Sequence, residues 1–300
     1  MTHLSLRQIQ IFDSVARYEN HTRAAEKLHM TQPAVSMQMK QMEKALGIDL
    51  FERHGKSLSL TSSGKSLHKY SHEIIQAYNN MLDFADDVKG CQQGHLTISV
   101  ASTANYFASR IISAFSKLHP DITISMDVTN RRTILQQLQC YEPDLAIMGE
   151  PPEGVGLMSE ELMPNPLVII APPEHPLKDK EKIAIKDLQG EKFVVREKGS
   201  GTQKTIKRHF SNAGLCCTTT LEMSSNEAIK QAVSAGFGLG VVSYHTIDLE
   251  LSSQRLITLN VESFPLQRYW HLVAHKEKAV SPVADAFKAF LRTQAKHYVP

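Results

Sequence analysis

From Ser62 to about Gly90 the chain has no proline, and seven apolar residues, Leu67, Tyr70, Ile74, Ala77, Met81, Phe84 and Val88, recur at alternating steps of three and four. That spacing is a coiled-coil seam across three heptads, on a helix of about 27 residues and roughly 40 Å. A lone helix of this kind cannot bury its stripe. It needs either the rest of its own chain or, as the regular alternation favours, a second copy of itself. The seam therefore divides the sequence into a short head and a long body. His68 and His72 stand at metal-like i, i+4 spacing on this helix, but no third ligand is near, so no metal is expected.

At 300 residues the chain is long enough for about two domains. Its net charge of +2 hides an asymmetry: residues 1–70 hold ten Lys/Arg against six Asp/Glu, and the remainder 23 against 25. A basic head on a slightly acidic body suggests that the head meets a polyanion. Four cysteines, two of them adjacent at Cys216 and Cys217, do not make a disulfide framework. The longest apolar run, Leu167 to Ala171, suits a buried strand and is far too short to span a membrane. The first residues carry no apolar signal segment. Together these features point to a reduced, cytoplasmic protein.

In the head, Leu4, Ile9, Phe12, Val15 and Ala16 predict an amphipathic helix over 4–18. Thr22 is placed to cap a short helix through Leu28, and Thr31 a third helix with Pro33 in its first turn. Two short helices across a tight turn make a helix-turn-helix. Ala24 and Ala25 are small where the helices must cross, while Leu28, Val35, Met39 and Met42 supply the buried stripe. The third helix then leaves Gln32, Ser36, Met37 and Lys40 on its other face. Gln suits adenine edges, Pro33 and Met37 can touch thymine methyls, and Lys takes guanine or phosphate. Residues 50–61 read as two short strands around His54 and Gly55, a wing whose Arg53 and Lys56 would grip phosphate or the minor groove.

The run Thr31-Gln32-Pro33-Ala34-Val35-Ser36, followed by Leu46-Gly47, Leu50-Phe51-x-Arg53 and Leu60-Thr61-x-x-Gly64, resembles the winged helix-turn-helix of LysR-type transcriptional regulators. Lys56 and Ser63 stand where that family usually has Arg and Ala, so the planar fork of an arginine is missing at 56. The resemblance implies a DNA-contacting set of Thr22, Arg23, Thr31, Gln32, Pro33, Ser36, Met37, Lys40, Arg53 and Lys56. It also implies pairing through the linker helix, a dimer of dimers on double-stranded promoter DNA, and RNA polymerase as a further partner.

In the body, strand 95–101, helix 106–118, strand 122–128, helix 131–140 and strand 144–148 follow the rhythm of a parallel α/β sheet. A second alternation comprises strand 193–196, helix 202–213, strand 218–222, helix 226–235 and strand 239–243. The last strand, 269–274, and helix, 281–296, are expected to return to the first lobe, with chain crossings near Pro164-Asn165-Pro166 and Phe264-Pro265. The expected organisation is a reading domain over 1–61, a linker over 62–90, and an effector domain over 91–300. Within that domain, lobe I takes 91–164 and 267–300 and lobe II takes 165–266. The family resemblance implies a periplasmic-binding-protein-like fold for this body.

Open α/β sheets hold ligands beyond the carboxyl ends of their strands, where helix N-termini offer N–H groups. Those places are Ser102, Thr103 and Asn105; Thr129, Asn130 and Arg131; Arg196 with Gly199, Ser200, Gly201 and Thr202; Asn226; and Ser243 with His245. Arg131 and Arg196 are expected to clamp a phosphate or carboxylate. Body segments around Thr103, Asp144, Pro164, Val195 and Ser225 resemble the CbbR group, regulators of Calvin-cycle operons. That resemblance implies an effector such as ribulose 1,5-bisphosphate, phosphoenolpyruvate or NADPH, and no catalytic residues. No nucleophile elbow, Walker loop or dinucleotide fingerprint argues for an enzyme. Two alternatives stay open: a regulator of another operon with a different effector, or a cysteine-based redox sensor, for which Cys216–Cys217 would be a strained pair and Cys91 and Cys140 lie far apart in sequence.

Overall fold

The computed structural model describes residues 4–54, 57–88, 94–215, 218–278 and 280–294; Lys56, Cys91, Cys216 and Cys217 lie outside this set, as do the side chains of Phe84 and Val88. The chain divides into two compact units, Met1–Cys91 and Gln92–Pro300.

In the first unit, helix α1 (Leu6–Tyr18) begins two residues later than its apolar spacing suggests. Ser5 and Gln8 form a reciprocal capping box there, the Gln8 N–H donating to Ser5 Oγ (3.2 Å) and the Ser5 N–H to Gln8 Oε1 (3.0 Å). Helix α2 (His21–Lys27) is capped by Asn20 rather than Thr22. Asn20 Oδ1 accepts the N–H groups of Thr22 (2.8 Å) and Arg23 (3.1 Å). Helix α3 (Gln32–Leu46) follows Thr31 with Pro33 in its first turn, but the Thr31 side chain makes no capping bond.

These helices close on one core. Ile11, Phe12 and Val15 meet Ala24, Ala25, Val35, Met39 and Met42, with Leu50 and Leu60 beneath. Each large side chain there contributes about 1.5–3 kcal/mol by leaving water.

Strands β1 (Phe51–His54) and β2 (Ser57–Leu60) form the expected antiparallel wing, Phe51 opposite Leu60. Glu43 Oε1 ties α3 to it by accepting the N–H groups of Leu50 (2.9 Å) and Phe51 (3.3 Å). Thr61 Oγ1 donates to the Asp49 carbonyl (2.8 Å) and accepts the Gly64 N–H (2.9 Å), opening helix α4 (Ser62–Val88). A side-chain carbon on Gly64 would collide with the Leu50 carbonyl. The Leu60-Thr61-x-x-Gly64 motif is thus a close backbone crossing. Helix α4 turns two faces to its surroundings. Leu67 joins the head's core and Ser71 and His72 are buried, whereas Tyr70 (60% exposed), Ile74 (47%), Ala77 and Met81 (55%) face outward. Leu67, read from sequence as part of the seam, therefore belongs to the inner face.

The second unit holds two five-stranded sheets. The first carries β3 (Gly94–Ala101), β4 (Ile122–Thr129), β5 (Leu145–Gly149), β6 (Leu157–Pro164) and β12 (Tyr269–His275) in the order β4-β3-β5-β12-β6. Helices α5 (Asn105–Leu118), α6 (Arg131–Gln139) and α10 (Pro282–Gln294) cover it, and Phe115 of α5 packs edge-on to Phe287 of α10 at 5.0 Å. The second carries β7 (Leu167–Ala171), β8 (Lys192–Arg196), β9 (Thr218–Met223), β10 (Leu239–Ser243) and β11 (Ile257–Leu259) in the order β11-β7-β10-β8-β9. Helices α7 (Gly201–Asn212), α8 (Asn226–Ser234) and the short α9 (Asp248–Ser252) belong to this lobe.

Both sheets are mixed rather than parallel. β12 runs antiparallel to β5 and β6, and β7 antiparallel to β10 and β11. The final strand and helix do return to the first lobe, and the chain crosses between lobes where its prolines suggest. There Asn165 N–H donates to the Arg268 carbonyl (2.6 Å), and Leu167 and Leu266 exchange backbone bonds of 3.0 and 2.9 Å.

Among the described residues no helix is long and apolar enough to cross a membrane, and no group of three His, Cys, Asp or Glu side chains could hold a metal ion. The rings of His68 and His72 both turn to Asp13 instead.

Candidate nucleic-acid interface and ligand cleft

On the head, α3 presents Gln32, Pro33, Met37 and Lys40 to solvent with Ser36 half-buried between them, and Gln41 and Lys44 extend the same shallow concavity toward the helix C-terminus. Gln41 and Lys44 were not singled out in the sequence; their signal is the four-residue step from Met37 and Lys40. Thr22 and Arg23 are exposed at the start of α2, Thr31 at the start of α3, and Arg53 on β1. This face carries donors, methyl-bearing side chains and cations on a helix of fifteen residues. That composition suits base edges and phosphates in a major groove.

In the body, a cleft of about 320 Å³ opens between the two lobes. Lobe I contributes Ser102, Thr103, Thr129, Asn130 and Arg131 from beyond β3 and β4, together with Glu150 and Glu161. Lobe II contributes Arg196, Ser200, Gly201 and Thr202, where α7 begins, and then Lys204, Thr205 and Arg208. The returning crossover adds Gln267, Arg268, Tyr269, Trp270 and His271. Nine of the fourteen positions read from sequence line it.

The other five do not, and the reason is visible for each. Asn105 faces solvent in the first turn of α5, its Oδ1 accepting from Ser109 Oγ (2.8 Å). Gly199, at φ +98°, does not line the cleft, and a side-chain carbon added there would press on Arg132 Cβ. Asn226 is buried, donating to Thr246 Oγ1 (3.3 Å). Ser243 is fully buried and donates to Asn165 Oδ1 (2.6 Å). His245 reaches the Pro164 carbonyl (3.1 Å).

Arg196 lines the cleft but is not the clamp its motif suggests. It is 4% exposed, and each of its nitrogens already donates: Nε to Glu197 Oε2 (2.8 Å), Nη1 to Asn226 Oδ1 (2.9 Å), and Nη2 to Glu197 Oε1 (3.1 Å), the Ser224 carbonyl (3.3 Å) and Ser102 Oγ (3.4 Å). Its task is to stitch lobe II together and to touch lobe I at Ser102.

Three cleft cations escaped sequence reasoning: the exposed Lys204 and Arg208, and the half-buried Arg268. Burial, with the Arg131 charge beside it, pushes this guanidinium down to about 10. Nη1 donates to Thr205 Oγ1 (3.3 Å), and Nε is buried without a partner. Arg131 is likewise pushed down by burial, with Glu150 partly offsetting it, and donates to the carbonyls of Gly149 (3.2 Å) and Glu150 (2.5 Å). The Arg131 charge disfavours that of Arg268, and an anion bound by both would relieve that repulsion. His271, pushed down by burial, and Trp270 Nε1 add unpartnered buried polar atoms at the lobe I side. Of the four cysteines only Cys140 is described; it is half-buried at the end of α6.

Known proteins extend this geometry. Residues 6–65 match the bacterial regulatory helix-turn-helix proteins of the lysR family, and residues 89–296 match the LysR substrate binding domain. The RuBisCO operon transcriptional regulator of Allochromatium vinosum is 47% identical over 293 residues, 98% of this chain and 97% of that protein. The HTH-type transcriptional regulator CbbR of Rhodospirillum rubrum is 43% identical over 291 residues, 97% of each chain. Among solved structures, the regulatory domain of CcmR from Synechocystis PCC6803, in complex with 2-PG, is 38% identical with a TM-score of 0.66, over 68% of this chain and 98% of that one. These likenesses bear out the resemblance drawn from the Thr31–Ser36 and Leu60–Gly64 motifs. With both parts of the sequence matched and two regulators covered almost end to end, the chain belongs to the LysR family of transcriptional regulators.

Proposed function

We propose that the chain is a metabolite-responsive regulator of carbon-fixation genes, reading promoter DNA in pairs and sensing a small phosphorylated acid in the inter-lobe cleft. Residues 1–61 read the DNA, 62–90 join two copies, and 91–300 sense the effector, with lobe I at 91–164 and 267–300 and lobe II at 165–266. The names of the A. vinosum and R. rubrum relatives support the choice of operon. The observation that carries the anion reading is Arg268, a half-buried guanidinium whose Nε is buried and unpartnered, beside Arg131. The 2-PG held by the CcmR domain is an anion of this chemistry. Ribulose 1,5-bisphosphate, phosphoenolpyruvate and NADPH are the other candidates.

Within the cleft, Arg131 and Arg268 take the anionic group, Ser102, Thr103, Thr129, Asn130, Ser200 and Thr202 donate to its oxygens, and Arg196 holds the lobes in register. Effector binding shifts the body toward whichever arrangement holds the anion better, and the heads move with it. RNA polymerase is the partner this reading expects at the promoter.

The reading face gives the test. In binding titrations on the DNA upstream of the gene, Gln32→Ala should cost about 1–3 kcal/mol at one base-pair position and relax sequence choice there. Arg53→Ala should weaken all DNA alike and reduce the slope of log affinity against log salt by about 1. Gln32→Ala indistinguishable from the parent on every sequence would remove α3 from the reading role.

A further inference from the structure

We propose that Asp13, His68 and His72 form a clasp that fixes the angle at which the reading head leaves helix α4, and so sets the separation of half-sites that a pair of these chains accepts. The proposal rests on the paired reading given above.

Asp13 lies mid-way along α1 and is 8% exposed. His68 Nε2 stands 3.1 Å and His72 Nδ1 3.3 Å from the same carboxylate oxygen, Oδ1, while Arg17 Nη2 stands 3.4 Å from Oδ2. Burial would raise the Asp13 carboxyl, but the bonds from His68 and His72 and the Arg17 charge hold it well below the usual carboxylate range. The acceptor is therefore a permanent anion. The two imidazoles are one turn apart, so both reach one oxygen only when α4 has a single rotation and a single height along α1. Apolar packing, such as that of Leu67 on the head's core, tolerates sliding that a directional bond does not.

The clasp connects directly to the reading helix. The His68 ring stands edge-on to Phe12 at 6.1 Å, and Phe12, fully buried, shares its core with Val35 and Met39 of α3. Beyond His72, α4 runs on to Val88, about 24 Å at 1.5 Å per residue. A tilt of roughly 5° at the clasp moves the head by about 2 Å relative to the far end of the helix, comparable to the rise of one base pair, about 3.4 Å. Asp13, His68 and His72 are thus positioning residues; none of them sits on the DNA-facing side of α3.

The test uses the full chain and three kinds of duplex: the two-fold site found upstream of the gene, the same site with one base pair inserted or removed between its halves, and a single half-site. The parent should lose at least tenfold in affinity when the separation changes. His68→Leu and His72→Leu should bind the single half-site within twofold of the parent yet discriminate separations by less than threefold. His68→Gln and His72→Asn keep a donor at the place of the bonded nitrogen and should restore the tenfold preference. Leucine variants that retain that preference overturn the proposal. So do leucine variants that lose single half-site binding as fully as whole-site binding, because the contact would then hold the fold of the head rather than its angle. A parent chain indifferent to separation would refute the paired reading itself.

Discussion

Arg268→Gln is expected to abolish the metabolite response while leaving DNA binding in the absence of metabolite within about twofold. Arg268 is a half-buried cation of the cleft whose Nε has no hydrogen-bond partner and whose Nη1 donates to Thr205 Oγ1. Removing one member of a buried, hydrogen-bonded charge pair costs about 2–5 kcal/mol, and about 3 kcal/mol is roughly a hundredfold in affinity. Titration calorimetry with 2-phosphoglycolate on the parent and the variant reads this directly. The thermal midpoint without ligand should be unchanged or slightly raised, because the substitution relieves repulsion from Arg131. Unchanged affinity in Arg268→Gln would move the anion site elsewhere. The equivalent change at Arg196 should instead destabilise the fold, since it strips Glu197, Asn226 and Ser224 of a donor they share.

Placing lysines at Ile74 and Met81 is expected to separate the chain into monomers and lower affinity for a two-fold site by at least about a hundredfold. Both side chains are large, apolar and about half exposed on the outer face of α4, aligned with Tyr70 and Ala77. Burying each against a second copy contributes about 1.5–3 kcal/mol, and a charge at either position replaces that gain with a desolvation cost. Two heads held together bind a two-fold site with the effective concentration of a tether, and monomers lose that advantage. Sedimentation of the double variant and a titration on whole and half-sites measure both effects. A variant that stays paired would show that a different surface joins the copies.

The head was legible from sequence because its information is local. Small residues at Ala24 and Ala25, a proline at position 33 and a glycine at position 64 each answer a demand made within a few residues. The errors there are of one or two residues: Asn20 caps α2 where Thr22 was expected, because either oxygen can reach the first N–H groups and only the backbone decides. Sheet direction was not legible. β12 and β7 enter their sheets from crossovers with no helical repeat to mark their sense, and β6, Leu157–Pro164, is mostly exposed and lacks alternation.

The cleft was half legible. Helix starts after β3, β4 and β8 pointed to Ser102, Asn130, Arg131 and Thr202. Arg268 belongs to no motif, and its partner Thr205 is 63 residues away in sequence. The same motif logic misjudged Arg196, whose exposure at a strand end was expected and whose surroundings consume its donors. The contacts of Asp13 with His68 and His72 span 55 and 59 residues, so the histidine spacing alone could suggest only a metal pair.

The measurement that bears most directly on this account is a footprint of the full chain on the DNA upstream of its gene, with and without saturating 2-phosphoglycolate, ribulose 1,5-bisphosphate, phosphoenolpyruvate or NADPH. The expected result is a two-fold protected site whose extent shortens or shifts with one of these anions, and an Arg268→Gln protein whose footprint no longer responds. Protection that is the same under every anion, in the parent protein as in the variant, would contradict the coupling of cleft to reading head.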